Sequence, residues 1–149
     1  MTDRANLRDT QTSLPTALLR AREAMASRFR PIFALYDITD AQWRVLRVLD
    51  EAEMLTASDV ARRAMIQGPS LTRIIRTLNE RGLICIQKNG ADGRAVLLTI
   101  DKAGRSLIRE IVPQTSGLYR HVEESFGAAR MSTLIGLLNE LAELPLDES

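Results

Sequence analysis

The chain has 149 residues, 45% of them hydrophobic and 26% charged, which is ordinary for one globular domain with a sizeable core. No apolar run approaches the roughly 18 residues that cross a bilayer, and Asp3, Arg4, Arg8 and Asp9 stand where a signal peptide would be apolar, so a cytoplasmic protein with no membrane partner is expected. The single cysteine, Cys85, excludes an intrachain disulfide and any multi-cysteine metal site.

The formal net charge of +1 hides a division along the chain. Residues 62–105 hold 9 basic and 3 acidic side chains, whereas 35–61 hold 2 and 6 and 106–149 hold 3 and 7. A basic block between acidic flanks is the pattern expected where a polyanion docks, although charge alone also fits a solvated surface.

In chain order, Leu14, Leu18, Ala21, Met25, Phe29 and Ile32 recur at steps of three and four, predicting an amphipathic helix over 14–35 with Pro15 in its first turn. Thr39-Asp-Ala-Gln42 has the form of a capping box and opens a second helix through about Asp50. Thr56-Ala-Ser-Asp59 supplies another cap, for a short helix at 57–63. Beyond Gly68 and Pro69, Leu71, Ile74, Ile75 and Leu78 form a complete buried stripe, and Gly82 stands where a helix terminator belongs.

After Gly82 the period changes to two. The runs 83–87 and 95–99 flank Lys88-Asn-Gly-Ala-Asp-Gly-Arg94, a β-hairpin with a long glycine-containing tip. Asp101 can cap a long helix carrying Leu107, Ile111, Leu118, Val122 and Phe126, which Pro113 should bend. A last helix carries Leu134, Leu137, Leu138, Leu141 and Leu144.

The expected fold is therefore mainly α with a small β-hairpin: a winged helix-turn-helix over 39–100 inside one domain of 149 residues. With its apolar stripe packed down, the second short helix presents Thr72, Arg73 and Arg76 outward, and a major groove about 12 Å wide accepts such a helix. Gln67 and Ser70 at its start can both donate and accept, and Arg73 can pair bidentately with guanine. In the hairpin, Arg94 can reach a minor groove or phosphate, Asp92 can hold its guanidinium, and Lys88 and Asn89 offer backbone-type contacts. Asn-Gly and Asp-Gly are also ordinary turn chemistry.

The stretch Ser70-Leu-Thr-Arg-Ile-Ile-Arg-Thr-Leu-Asn-Glu-Arg-Gly-Leu-Ile84, followed by Asp92-Gly-Arg94, Leu98-Thr99 and Gly104, resembles the signature of MarR-type (multiple antibiotic resistance) regulators. The resemblance covers nearly the whole chain, including Gln42-Trp43. Leu18-Leu-Arg-Ala-Arg-Glu-Ala and Ser27-Arg-Phe-Arg-Pro-Ile32 are similar to the branch controlling homoprotocatechuate degradation operons.

The resemblance implies a homodimer whose first and last helices (14–35 and 101–146) interlock. It also implies repression from a palindromic operator on double-stranded DNA until a small phenolic or aromatic carboxylic acid loosens the complex. The helices at 14–35, 107–126 and 134–144 independently carry more apolar stripe than a compact DNA-binding core covers, which a two-fold partner or an intramolecular bundle would bury. For the effector, the resemblance points to Arg20, Ser27, Arg28, Trp43 and Arg44, guanidinium groups for a carboxylate and an indole for a ring. Trp43 equally suits a core position.

No cofactor or metal is expected. Cys85 lies between Ile84 and Ile86 as a small strand residue, His121 has no partner at metal-ligand spacing, and the adjacent Glu123 and Glu124 point apart on a helix. Catalytic motifs are absent from the sequence: there is no Gly-x-Ser-x-Gly elbow, phosphate loop, His-Glu-x-x-His helix or dinucleotide fingerprint. A binding protein is expected rather than an enzyme. Arg73 and Arg76 favour DNA over a protein partner, for which this exposed face would be expected to be apolar or acidic.

Overall fold

The computed structural model describes residues 9–88 and 96–145. The chain divides into two compact units, residues 1–112 and 113–149.

In the first unit, helix α1 (Leu14–Ala34) carries Pro15 in its first turn and runs on through Pro31. It leaves by a turn of the Schellman type: the Ile38 amide donates to the Phe33 carbonyl at 3.1 Å and the Asp37 amide to Ala34 at 3.2 Å. Asp37 occupies the left-handed position at φ 52°, where glycine is the usual occupant. Helix α2 (Asp40–Asp50) starts from the expected capping box, with the Gln42 amide on Thr39 Oγ1 at 3.1 Å and the Thr39 amide on Gln42 Oε1 at 3.0 Å.

Strand β1 (Leu55–Thr56) leads directly into helix α3 (Ala57–Ala64), whose start is capped by Thr56 Oγ1 accepting from the Asp59 amide at 3.1 Å. The end of α3 repeats the turn that closes α1: the Ile66 amide reaches Ala61, the Met65 amide reaches Arg62, and Met65 is left-handed at φ 54°. Helix α4 (Gly68–Glu80) follows and closes in the same manner, with Gly82 at φ 70° and the Leu83 amide on Leu78. That turn consumes Leu83, so strand β2 is Ile84–Lys88 and strand β3 is Val96–Ile100; each extends one residue past the expected limit.

The sequence pattern predicted two strands, but the sheet has three, antiparallel in the order β1-β3-β2, with Leu55 opposite Leu98 and Ile86 opposite Leu98 on the other side. A two-residue strand has no alternation to detect, so only its pairing reveals β1.

Val45, Leu46 and Leu49 of α2, Val60 of α3, Leu71 and Leu78 of α4, Ile84 and Leu98 of the sheet, and Ile108 and Ile111 pack into one core. Helix α5 (Lys102–Phe126) begins at Asp101, whose Oδ1 accepts from the Ala103 amide at 3.2 Å. Its first turn lies so close to Leu83 that a β-carbon on Gly104 would collide with the Leu83 carbonyl oxygen. The buried residues of α5 are Gly104, Ile108 and Ile111, all before Pro113, through which the helix is continuous.

In the second unit, the remainder of α5 is followed by Gly127 and helix α6 (Ala128–Ala142). No described residue from Pro113 onward is buried.

Candidate nucleic-acid interface

The stripe and the outer face of α4 fall where the 3.6-residue period puts them. Leu71 and Leu78 are buried, Ile74 and Ile75 are half-buried, and Ser70, Thr72, Arg73, Arg76 and Glu80 are exposed. Gln67 sits at the N-cap without a side-chain cap bond, so its amide group remains exposed at the helix start. The Thr72 hydroxyl donates back to the Gly68 carbonyl at 3.1 Å, which fixes its rotamer and leaves its methyl group and oxygen on the outer face.

Among the described residues, Arg73 and Arg76 enter no ion pair, unlike Arg62 on α3, which is 2.9 Å from Asp59. Arg62, helped by Thr56, holds the Asp59 carboxyl below the usual carboxylate range. Two unpaired guanidinium groups one helical turn apart therefore face solvent. An open cleft of about 370 Å³ beside Arg76, lined also by Ala57, Thr72, Ile75, Asn79, Ile86 and Val96, lies between α4, the start of α3 and the sheet.

Lys88, also exposed, is the last residue of β2. Asn89, Asp92 and Arg94 lie outside the described residues.

The α1 candidates Arg20, Ser27 and Arg28 are exposed, and the latter two both donate to the Ala24 carbonyl, at 3.1 and 2.6 Å. On α2, Trp43 is half-buried with its ring centroid 5.3 Å from that of Phe33, so it contributes to the core beside α1. Arg44 turns toward α3. Its Nη1 donates to the Ala64 carbonyl at 2.9 Å and reaches Met65 at 3.5 Å. Its Nε stands 3.3 Å from Asp40 Oδ2, close enough for an ion pair but not aligned for a hydrogen bond, and is buried without a hydrogen-bond partner. Trp43 and Arg44 thus have structural partners of their own.

Cys85 donates its S–H to Asp101 Oδ2 at 3.2 Å. That bond to a carboxylate, with burial behind it, pushes the thiol pKa up and keeps the sulfur protonated, in line with a packing role. Asp101 is held below the ordinary range, first by the Ala103 amide and then by the thiol.

One side chain outside the sequence-based set links α4 to a distant segment. Arg81, immediately after the last residue of α4, donates from Nη1 to the Asp37 carbonyl at 2.6 Å and from Nη2 to the Tyr36 carbonyl at 3.0 Å. An arginine at a helix end is the only local signal for it.

A helix-turn-helix followed by paired strands, with a basic face on the second helix, agrees with comparison to known proteins. Residues 36–95, from the end of α1 to the β2–β3 connection, match the MarR family. The homoprotocatechuate degradative operon repressor of Escherichia coli is 39% identical over 132 residues, covering 89% of each chain. The chain belongs to the MarR family. Within that family it is equally similar to the HTH-type transcriptional regulator FarR of Neisseria gonorrhoeae, 39% identical over 132 residues, 89% of this chain and 90% of that one. Among solved structures, NadR in complex with 4-hydroxyphenylacetate superimposes with a TM-score of 0.80 at 38% identity, over 93% of this chain and 98% of that chain. The fold is accordingly the winged helix-turn-helix of a MarR-type transcriptional regulator. No described helix is long and apolar enough to cross a membrane.

Proposed function

We propose that this MarR-type regulator is a cytoplasmic repressor of an operon for aromatic-acid breakdown, working by binding and not by catalysis. It binds a palindromic operator as a homodimer and releases it on taking up a phenolic or aromatic carboxylic acid. The observation that carries the DNA-reading part is the outer face of α4, where Arg73 and Arg76, in no ion pair among the described residues, stand beside Gln67, Ser70 and Thr72. Arg73 then reads a base edge, Gln67 and Ser70 lie nearest the groove floor, and Lys88, Asn89, Asp92 and Arg94 serve the wing.

Two-fold association through the regions 14–35 and 101–146 is supported by the uncovered apolar side chains of α1 and α6, among them Leu18, Leu19, Leu134, Leu137 and Leu138. The 39% identity to a homoprotocatechuate operon repressor and the 38% identity to a 4-hydroxyphenylacetate complex support the effector class. Within that reading Arg20 and Arg28, exposed on α1, supply charge for the carboxylate, Ser27 a hydroxyl and Trp43 the ring from α2, with Arg44, already bonded to the Ala64 carbonyl and beside Asp40, as a neighbouring and not a contacting charge. A second reading is the same DNA-binding dimer answering an unrelated effector; the equal identity to FarR, an HTH-type transcriptional regulator, supports its DNA-binding part alone.

Titration of the full chain against its own upstream DNA, with and without homoprotocatechuate or 4-hydroxyphenylacetate, separates these. Specific binding relieved by either acid is the expected result. Specific binding indifferent to both selects the second reading, and binding no stronger than to random duplex overturns the DNA-reading role. In the same assay, Arg73→Ala should cost about 1–3 kcal/mol of discrimination between operator and random DNA. Equal losses on both would remove Arg73 from base reading.

A further inference from the structure

Among the described residues, Asp37 and Met65 are the two non-glycine positions with positive φ, at 52° and 54°. Each closes a helix by the same pair of amide bonds, α1 at Asp37–Ile38 and α3 at Met65–Ile66. In each the carbonyl of the left-handed residue and the carbonyl just before it point at one arginine. Arg81 takes Tyr36 and Asp37 at 3.0 and 2.6 Å, and Arg44 takes Ala64 and Met65 at 2.9 and 3.5 Å.

A side chain with a β-carbon is strained at such a φ, and a guanidinium at a helix C-terminus meets both the unsatisfied carbonyls and the negative end of the helix dipole. These are long-range ties, spanning 44 and 45 residues for Arg81 and 20 and 21 for Arg44. They also flank α4. The turn held by Arg44 leads into its first residue, and Arg81 extends from its last turn to the α1–α2 connection. The other side-chain hydrogen bond of α4 among the described residues, from Thr72 to Gly68, is internal.

We infer that Arg81 and Arg44 are positioning residues, clasping the strained turn after α1 and the strained turn before α4 and so setting the angle at which α4 is offered to DNA. This rests on the DNA-reading role proposed above. It goes beyond that role in assigning part of operator preference to two arginines that touch no DNA. Glycine at the left-handed position removes the strain that the clasp opposes, so a second-site change can compensate for the loss of an arginine. A phosphate contact has no such compensation.

The test uses the full chain and the variants Arg81→Ala, Arg81→Lys, Arg44→Ala and Arg44→Lys, alone and with Asp37→Gly or Met65→Gly respectively. Affinities are measured for upstream and random DNA over a salt series, together with amide hydrogen exchange. The alanine variants should lose about tenfold in operator preference at an unchanged salt slope. Lysine, with a single-point donor, should restore part of this, and the matching glycine substitution most of it.

Exchange should accelerate at Asp37–Ile38 in Arg81→Ala and at Met65–Ile66 in Arg44→Ala. Exchange unchanged at those amides overturns the clasps whatever the DNA result. Equal losses on both DNAs with a shallower salt slope overturn them in favour of phosphate contact. Should an alanine variant fail to fold, the lysine variant is judged by the same readings. A wild-type chain without operator preference refutes the DNA-reading role instead, and the exchange measurement then decides the clasps alone.

Discussion

Helices α4 and α6 are nearly equal in length, 13 and 15 residues, and their fates in the chain are opposite. Leu71 and Leu78 of the α4 stripe are buried, Leu78 completely, Ile74 and Ile75 are half-buried, and its polar face is exposed. Helix α6 has no buried residue, and Leu134, Ile135, Leu137, Leu138 and Leu141 are all exposed. Both patterns read as amphipathic or apolar helices in the sequence. What differs is the supply of complementary surface: α2, α3 and the sheet close over α4, whereas the surface that would cover α6 is not supplied by its own unit. The lesson is that an apolar helix is evidence for burial somewhere and not for burial within one chain.

The largest expected effect sharpens the α4 side of this contrast. Leu78→Ala removes a fully buried side chain and should destabilise the winged lobe by about 2–5 kcal/mol in urea unfolding, by an amount independent of protein concentration. On the α6 side, Leu138→Lys should leave secondary structure intact but weaken the proposed two-fold association by about a hundredfold in sedimentation equilibrium, equivalent to about 2.7 kcal/mol. A concentration-independent loss of fold in that variant would break the contrast by placing Leu138 in an intrachain core. Next comes Gly104→Ala, which brings a methyl group against the Leu83 carbonyl and should cost about 1–3 kcal/mol in thermal unfolding as α5 shifts off the sheet.

The smallest effect is electrostatic. The Asp59 and Asp101 carboxyls are below their unfolded values, so the stabilisation they give is complete above the unfolded carboxylate pKa of about 4 and is lost as pH falls through the lower folded-state values. Melting temperature should fall gradually in that acid window, and Asp101→Asn, which keeps an acceptor for the Ala103 amide, should flatten its share.

Legibility in the sequence followed the distance over which each feature is encoded. The caps at Thr39–Gln42 and Thr56–Asp59, the stripe of α4, the Gly82 stop and the Asp101 start all formed as read, because each depends on residues two to seven positions apart. The exposed face with Arg73 and Arg76 followed from the same period. Strand β1 escaped because two residues carry no pattern, and Leu83 was taken as strand although the turn after α4 claims its amide. Trp43 and Arg44 had more than one reading, and the sequence could not announce that Phe33 and the end of α3 would receive them.

By itself, then, the sequence determined the order and type of every element except β1, the buried and solvent faces of α4, and the family, since these rest on local periodicity, capping chemistry and motif. Only the tertiary structure decided that the sheet has three strands, that the core stops before Pro113, and that Arg44 and Arg81 meet carbonyls 20 to 45 residues away. Those outcomes depend on which distant surfaces the folded backbone brings within hydrogen-bonding or van der Waals range, and no local spacing records that.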